Sequence, residues 1–121
     1  FNGALRFLAE NGAEGDALIS FPEGAMINYL TGLSHVSYYS SFVPPEIPSE
    51  AEEERVLRDI ETGKPRFAAV LSRDVSEFGS AGFGVDYGLR IFDLLKEKYT
   101  LRNTFESGDG SFWVRIFMIR D

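Results

Sequence analysis

The sequence predicts an α/β domain: a three-layer αβα sandwich with a largely parallel sheet that ends in an antiparallel C-terminal hairpin. Segments with the periodicity of amphipathic helices alternate with short apolar runs typical of buried strands, and this order implies crossover connections and helices on both faces of a sheet. The final segment, residues 101–119, instead contains two strand-like runs separated by the turn sequence Ser-Gly-Asp-Gly. A chain of 121 residues with 44% hydrophobic residues suits one core, so we expect a single domain over residues 1–121.

The first three elements are each bounded by residues that favour caps or turns. Asn2 can cap a first helix and Gly12 can follow its end. We expect its apolar face to contain Leu5, Leu8 and Ala9. The apolar run 17–21 predicts a buried strand, and the stripe of apolar residues over 24–31 predicts a short helix that Gly32 terminates.

The middle of the chain predicts an edge strand and then a strongly signalled helix. Residues 36–42 are rich in Val, Tyr and Ser, and the proline-rich loop 44–48 ends this strand. Ser49 and Glu52 have the spacing of a capping box, and Gly63 marks the end of the helix. The acidic run is interpreted as charge that favours the start of a helix: Glu50, Glu52, Glu53 and Glu54.

The last elements include two strands that should lie inside the sheet. Residues 67–71 are apolar without alternation, which indicates a central strand covered on both faces. Asp86 can cap the next helix. That helix would carry Tyr87, Ile91, Leu94 and Leu95. The returning hairpin strand, 112–119, is apolar on both faces and should also be interior.

The charge and the composition exclude several classes of function. Lys and Arg number 12 against 19 Asp and Glu, a net charge of -7, and the basic residues are scattered, so no nucleic-acid partner is expected. The absence of cysteine excludes disulfides, thiol nucleophiles and zinc–thiolate sites. We predict neither a metal site nor a cofactor. No apolar run approaches the roughly 20 residues that cross a bilayer, so the chain is expected to be soluble.

No catalytic residue can be assigned from the sequence. His35 is the only histidine, and a hydrolase built on it, with Ser34 or Ser37 as the nucleophile, is the least favoured hypothesis. The glycine-rich stretch 79–84 lacks the Gly-Lys-Ser/Thr ending of a phosphate-binding loop and does not follow its strand directly. We interpret it as a loop, with phosphate binding as the alternative.

A candidate ligand site is predicted where two parallel strands end. Because strands ending near Phe21 and Leu71 should be parallel, the loops 22–24 and 72–84 should open on the same edge of the sheet. The residues expected to face a ligand or an acceptor there are Glu23, Arg73, Asp74, Glu77 and Asp86. Arg73 could grip a carboxylate or a phosphate; the alternative is a surface ion pair with a neighbouring acid.

Three stretches together resemble the C-terminal region of bacterial membrane glycosyltransferases related to protein O-mannosyltransferases and aminoarabinose transferases. The first is Asp16 to Gly32, with the order strand, Pro, helix, Tyr-Leu-Thr-Gly; the second is Lys64 to Leu71. The third begins with Phe-Gly-Val-Asp-Tyr at 83–87 and continues through a helix and the closing hairpin. The resemblance covers nearly the whole chain.

The resemblance implies a place in a larger enzyme. In that family a polytopic membrane domain transfers a sugar from a polyprenyl-phosphate donor, and its catalytic acid matches nothing here. We therefore expect a periplasmic accessory domain on the extracytoplasmic face of the bacterial cytoplasmic membrane, C-terminal to a transmembrane region and without turnover of its own. Its partners would be that transmembrane domain and a lipid-linked sugar or acceptor. The start at Phe1, without Met, fits this expectation. The alternative is a free-standing α/β domain that binds a small molecule without catalysis.

Overall fold

The computed structural model describes residues 2–12, 16–21, 28, 30–34, 50–72, 83–85, 87–110 and 112–120. Within them the chain is a mixed α/β structure of three helices and four strands. The helices are α1 (Asn2–Asn11), α2 (Glu50–Gly63) and α3 (Leu89–Lys98). The strands are β1 (Leu18–Phe21), β2 (Phe67–Leu71), β3 (Tyr99–Glu106) and β4 (Trp113–Ile119).

The four strands form one mixed sheet in the order β1-β2-β4-β3. β1 and β2 are parallel, whereas β4 is antiparallel to both β2 and β3. The C-terminal hairpin and the interior positions of β2 and β4 are therefore confirmed. The largely parallel sheet is not confirmed, because only one of the three pairings between these strands is parallel. The physical reason is that β4, apolar on both faces, needs cover on both faces and so lies beside β2 rather than at the edge.

Alternate residues of the strands belong to two separate clusters of buried side chains, as expected when successive side chains point to opposite faces of a sheet. One cluster joins α1 to the sheet and contains Ala4, Leu8, Leu18, Leu33, Phe67, Ala69, Val114 and Ile116. The other joins α2 and α3 to the sheet through residues that include Ile19, Phe21, Val56, Ile60, Val70, Ile91, Leu95 and Phe117. β3, at the edge of the described sheet, is mostly exposed.

Two helices differ in detail from their sequence-based predictions. In α1, Ala4 and Leu8 are buried but Ala9 is exposed, so the buried face is shifted relative to the predicted one. α1 lies close to the hairpin: a Cβ added at Gly3 would come within 2.8 Å of the Phe105 ring. The prediction that Tyr87 lies within the last helix is wrong. α3 begins at Leu89, after Gly88 as its N-cap residue, because Gly88 adopts a left-handed conformation with φ 64°.

The chain between β1 and α2 is described only in part. Residues 28, 30 and 31 are helical, and Gly32 follows with φ 74°, in agreement with the predicted stop. Ser34 pairs in parallel with Ala17, since the Leu18 N–H donates to the Ser34 carbonyl (2.8 Å). The predicted strand 36–42, the proline-rich loop 44–48 and the cap Ser49 lie outside the described residues.

Candidate functional site

The residues predicted to face a ligand, Glu23, Arg73, Asp74, Glu77 and Asp86, lie outside the described residues, as does His35. The strands that lead to the predicted crevice are described. β1 and β2 run parallel with Phe21 opposite Val70, so both strands end at the same edge of the sheet. We call this end of the two strands the β1–β2 carboxyl edge. The crevice itself stays a prediction.

Aromatic rings pack beside the β1–β2 carboxyl edge. The Phe21 ring stacks on Phe83 with 4.7 Å between ring centroids, and Phe83 also meets the Tyr87 and Phe92 rings edge-on. A Cβ added at Gly84 would come within 2.9 Å of the Phe92 ring. The described end of the glycine-rich stretch 79–84 therefore serves close ring packing, which favours the loop interpretation over a phosphate cradle.

The acidic run at the start of α2 connects two helices. The backbone N–H groups of Arg90 and Ile91 donate to Oε1 of Glu53, at 2.9 and 3.2 Å. Nη2 of Arg90 donates to Oε2 of Glu54 at 2.6 Å. Glu53 thus caps the first turn of α3. The N-cap residue itself, Gly88, has no side chain that could accept these hydrogen bonds. The interpretation of this run as charge that favours the start of its own helix missed that role.

A groove opens at the end of the strands opposite the β1–β2 carboxyl edge. It lies between the C-terminal ends of α2 and α3, where β2 and β3 begin and β4 ends. We call it the α2–α3 groove; its volume is about 660 Å³. The side chains of its floor are apolar or aromatic: Ile60, Leu94, Tyr99 and Ile119. The side chains of its rim are charged: Glu61, Lys64, Glu97, Lys98 and Arg120.

Tyr99 forms the deepest polar point of the α2–α3 groove. Its side chain is buried, and its hydroxyl donates a hydrogen bond to the carbonyl of Pro65. Burial raises the pKa of the Tyr99 phenol well above its usual value of 10.0. The phenol is protonated at neutral pH, as an ordinary tyrosine is, and its hydroxyl proton is donated to the main chain rather than offered to a ligand.

Arg120 is committed to the end of α3. Its guanidinium donates from Nη1 to the carbonyl of Glu97 (2.9 Å) and from Nη2 to the carbonyl of Lys96 (3.2 Å). Nε donates to Oγ1 of Thr100 (3.1 Å), and the Arg120 backbone N–H donates to the carbonyl of Lys98. These bonds satisfy carbonyls that a helix leaves open at its C-terminus.

The other four charged side chains of the rim form no ion pair within the described part of the chain: Glu61, Lys64, Glu97 and Lys98. They surround an apolar floor and remain available to a ligand. Among the residues that the structure describes, no group of three His, Asp or Glu side chains is arranged to hold a metal ion. In the same residues no helix is both long and apolar enough to cross a membrane.

Sequence reasoning missed the α2–α3 groove because its rim is assembled from distant segments. Lys64 follows α2, Lys98 ends α3, and Arg120 follows β4. The position of Lys98 could have been predicted locally, because positive charges are favoured near the C-terminus of a helix. No local pattern connects Arg120 to α3, because the contact depends on β4 returning beside β3.

Comparison with protein-family models, with curated proteins and with solved structures finds no significant match to this chain.

Proposed function

We propose that this chain is an accessory domain, without catalysis of its own, on the extracytoplasmic face of a bacterial polytopic membrane glycosyltransferase that uses a polyprenyl-phosphate sugar donor. One observation carries the proposal: the three stretches that resemble this family contain β1, β2 and the unit α3-β3-β4. Together they make up the whole described sheet. The resemblance therefore follows the framework of the fold rather than isolated loops.

Two polar side chains of the α2–α3 groove, Tyr99 and Arg120, are engaged in structural hydrogen bonds and not in catalysis. Glycosyl transfer needs a placed acid or base near the reacting bond. The Tyr99 hydroxyl donates to Pro65, and the Arg120 guanidinium holds the end of α3. In this proposal the parent's membrane region carries the reaction, and the present domain contacts the donor or the acceptor.

The three-layer αβα arrangement belongs to the same proposal. Its support is the pair of buried clusters, one joining α1 and the other joining α2 and α3 to alternate residues of the strands. A fold of this kind offers loops at the β1–β2 carboxyl edge, where Glu23, Arg73, Asp74, Glu77 and Asp86 would face the acceptor.

The parent protein tests this proposal. The gene product upstream of Phe1 is expected to contain several hydrophobic spans, and its membranes should transfer sugar from a polyprenyl-phosphate donor. Deleting residues 1–121 should lower transfer while the spans still insert, and the isolated domain should transfer none. A parent without such spans, or turnover by the isolated domain, contradicts the proposal.

The α2–α3 groove favours a second candidate, a free-standing domain that binds a small molecule. Its volume of about 660 Å³ falls within the range of roughly 300–1,000 Å³ typical of small-molecule sites. A gene product that starts with Met immediately before Phe1, together with a saturable ligand, would favour this candidate over the first.

A further inference from the structure

We propose that the α2–α3 groove binds a small amphipathic anion, meaning one carboxylate, sulfonate or phosphate group attached to an apolar body. The site lies at the sheet edge opposite the predicted crevice and does not depend on a membrane parent. The inference therefore goes beyond the proposed function and holds or fails separately from it.

The floor of the groove accounts for the apolar body. Ile60, Leu94, Tyr99 and Ile119 come from two helices and two strands and form one apolar surface. The only polar atom that Tyr99 could present, its hydroxyl oxygen, already donates its proton to Pro65. A ligand lying on this floor gains by removing apolar surface from water and leaves no buried donor unsatisfied.

The rim accounts for the anionic group. Lys64 and Lys98 are exposed, come from the ends of different helices and have no ion-pair partner among the described residues. Arg120 adds a third positive charge, while its guanidinium covers the open carbonyls of α3 and so offsets the negative end of that helix dipole. The rim carries three cations and two acids, in a chain whose net charge is -7.

Glu61 and Glu97 restrict the ligand to one anionic group. Both carboxylates lie on the same rim, so an anion placed between Lys64 and Lys98 feels repulsion from them. A single anionic group can bind where the lysines dominate. A polyphosphate would bring further charge toward the acids, which disfavours it.

The test uses two probes with the same apolar body. Anilinonaphthalene sulfonate carries one sulfonate, and phenylnaphthylamine is the same aromatic framework without it. We expect the sulfonate to bind the folded chain one to one, with fluorescence enhancement and with amide shift changes at Ile60, Leu94 and Ile119 in NMR spectra. Added salt should weaken its binding more than that of the neutral probe.

Single substitutions then separate this groove from nonspecific binding. Lys64→Gln and Lys98→Gln should each weaken sulfonate binding about tenfold, as expected when one charged hydrogen-bond partner is lost, and leave the neutral probe unchanged. Lys96→Gln is the matched control, because Lys96 pairs with Asp93 and lies over Phe92 outside the groove. Glu61→Gln and Glu97→Gln should tighten binding of the sulfonate.

Circular dichroism and thermal unfolding establish that each variant is folded before binding is compared. The proposal is overturned if the sulfonate does not bind the wild-type chain at millimolar concentration. It is equally overturned if Lys96→Gln weakens binding as much as the two groove lysine variants, or if the amide shift changes occur away from the groove.

Discussion

Single residues far apart in the sequence hold the helices of this domain in place. Glu53, on α2, accepts hydrogen bonds from the N–H groups of Arg90 and Ile91, the second and third residues of α3, while Gly88 at the N-cap position has no side chain that could do so. The capping box predicted for α2 concerns a different helix. A helix start can therefore be satisfied by a side chain that local capping rules do not consider.

Glu53→Ala should lower the free energy of unfolding by about 2 kcal/mol, because two backbone donors lose a charged acceptor. Chemical denaturation measures this change. Glu54→Ala is the matched control: its ion pair with Arg90 is about half exposed, so its loss should cost under about 1 kcal/mol. Equal losses from the two variants would contradict the capping role of Glu53.

Lys64→Gly should raise the free energy of unfolding by roughly 0.5–1 kcal/mol. Lys64 has φ 43°, the one positive value reported for a non-glycine residue of the described chain. An L-residue in this conformation costs about 1–2 kcal/mol, partly offset by the greater freedom of glycine when unfolded.

Lys64→Ala keeps the Cβ but removes the charge, so urea unfolding of the two variants separates backbone strain from electrostatics. A gain in the alanine variant equal to that in the glycine variant would show that strain is not the cause.

Tyr99 should make stability depend on alkaline pH. Burial raises its folded-state pKa above the ordinary tyrosine value of 10.0, so its contribution is fully present below about pH 10. That contribution falls as the pH rises from there toward the folded-state pKa, because the unfolded chain loses the phenolic proton first.

The free energy of unfolding of wild type and Tyr99→Phe, measured from neutral to strongly alkaline pH, tests this. At neutral pH the variant should be about 1 kcal/mol less stable, since the bond to Pro65 is lost. The difference should shrink above about pH 10. A difference that does not change with pH would refute the proposed linkage.

Among the elements, α3 and β3 meet at a junction that is held by residues from elsewhere in the chain. α3 ends at Lys98 and β3 begins at Tyr99 without an intervening loop. The tail after β4 returns beside this junction, where Arg120 closes the α3 carbonyls. The hairpin thus brings Arg120 to the C-terminal carbonyls of α3, the helix that precedes the hairpin in the chain.

Arg120→Ala should lower the free energy of unfolding by about 1 kcal/mol and speed amide hydrogen exchange in the last turn of α3. Arg102→Ala is the matched control, because exposed Arg102 makes only a long contact, 3.6 Å, to Sδ of Met118. Unchanged exchange near Lys98 in the Arg120 variant would contradict the closing role.

At the scale of the whole molecule, the sheet order is set by how the strands share cover. β2 and β4 are interior and support both buried clusters, whereas β3 is largely exposed. The two ends of the strands also differ. Aromatic rings pack beside the β1–β2 carboxyl edge, and the α2–α3 groove opens at the opposite end of the strands.

For the described helices α1 to α3 and strands β1 to β4, the sequence by itself determined the type of each segment and which strands lie inside the sheet. The uninterrupted apolar runs of β2 and β4, the turn at 107–110 and the stop after Gly63 are local signals, and each agrees with the structure. Such signals suffice because the hydrophobic pattern of a segment and the turn-forming residues at its ends are both read from residues adjacent in the chain.

Only the tertiary structure decided the pairing of β4 with β2, the capping of α3 by Glu53, the closing of α3 by Arg120 and the α2–α3 groove. Each joins segments that are remote in sequence. A local pattern is the same whichever partner a strand or a charged side chain finds. The choice among partners follows from how the described elements pack together, and apolar surface on both sides of β4 excludes an edge position.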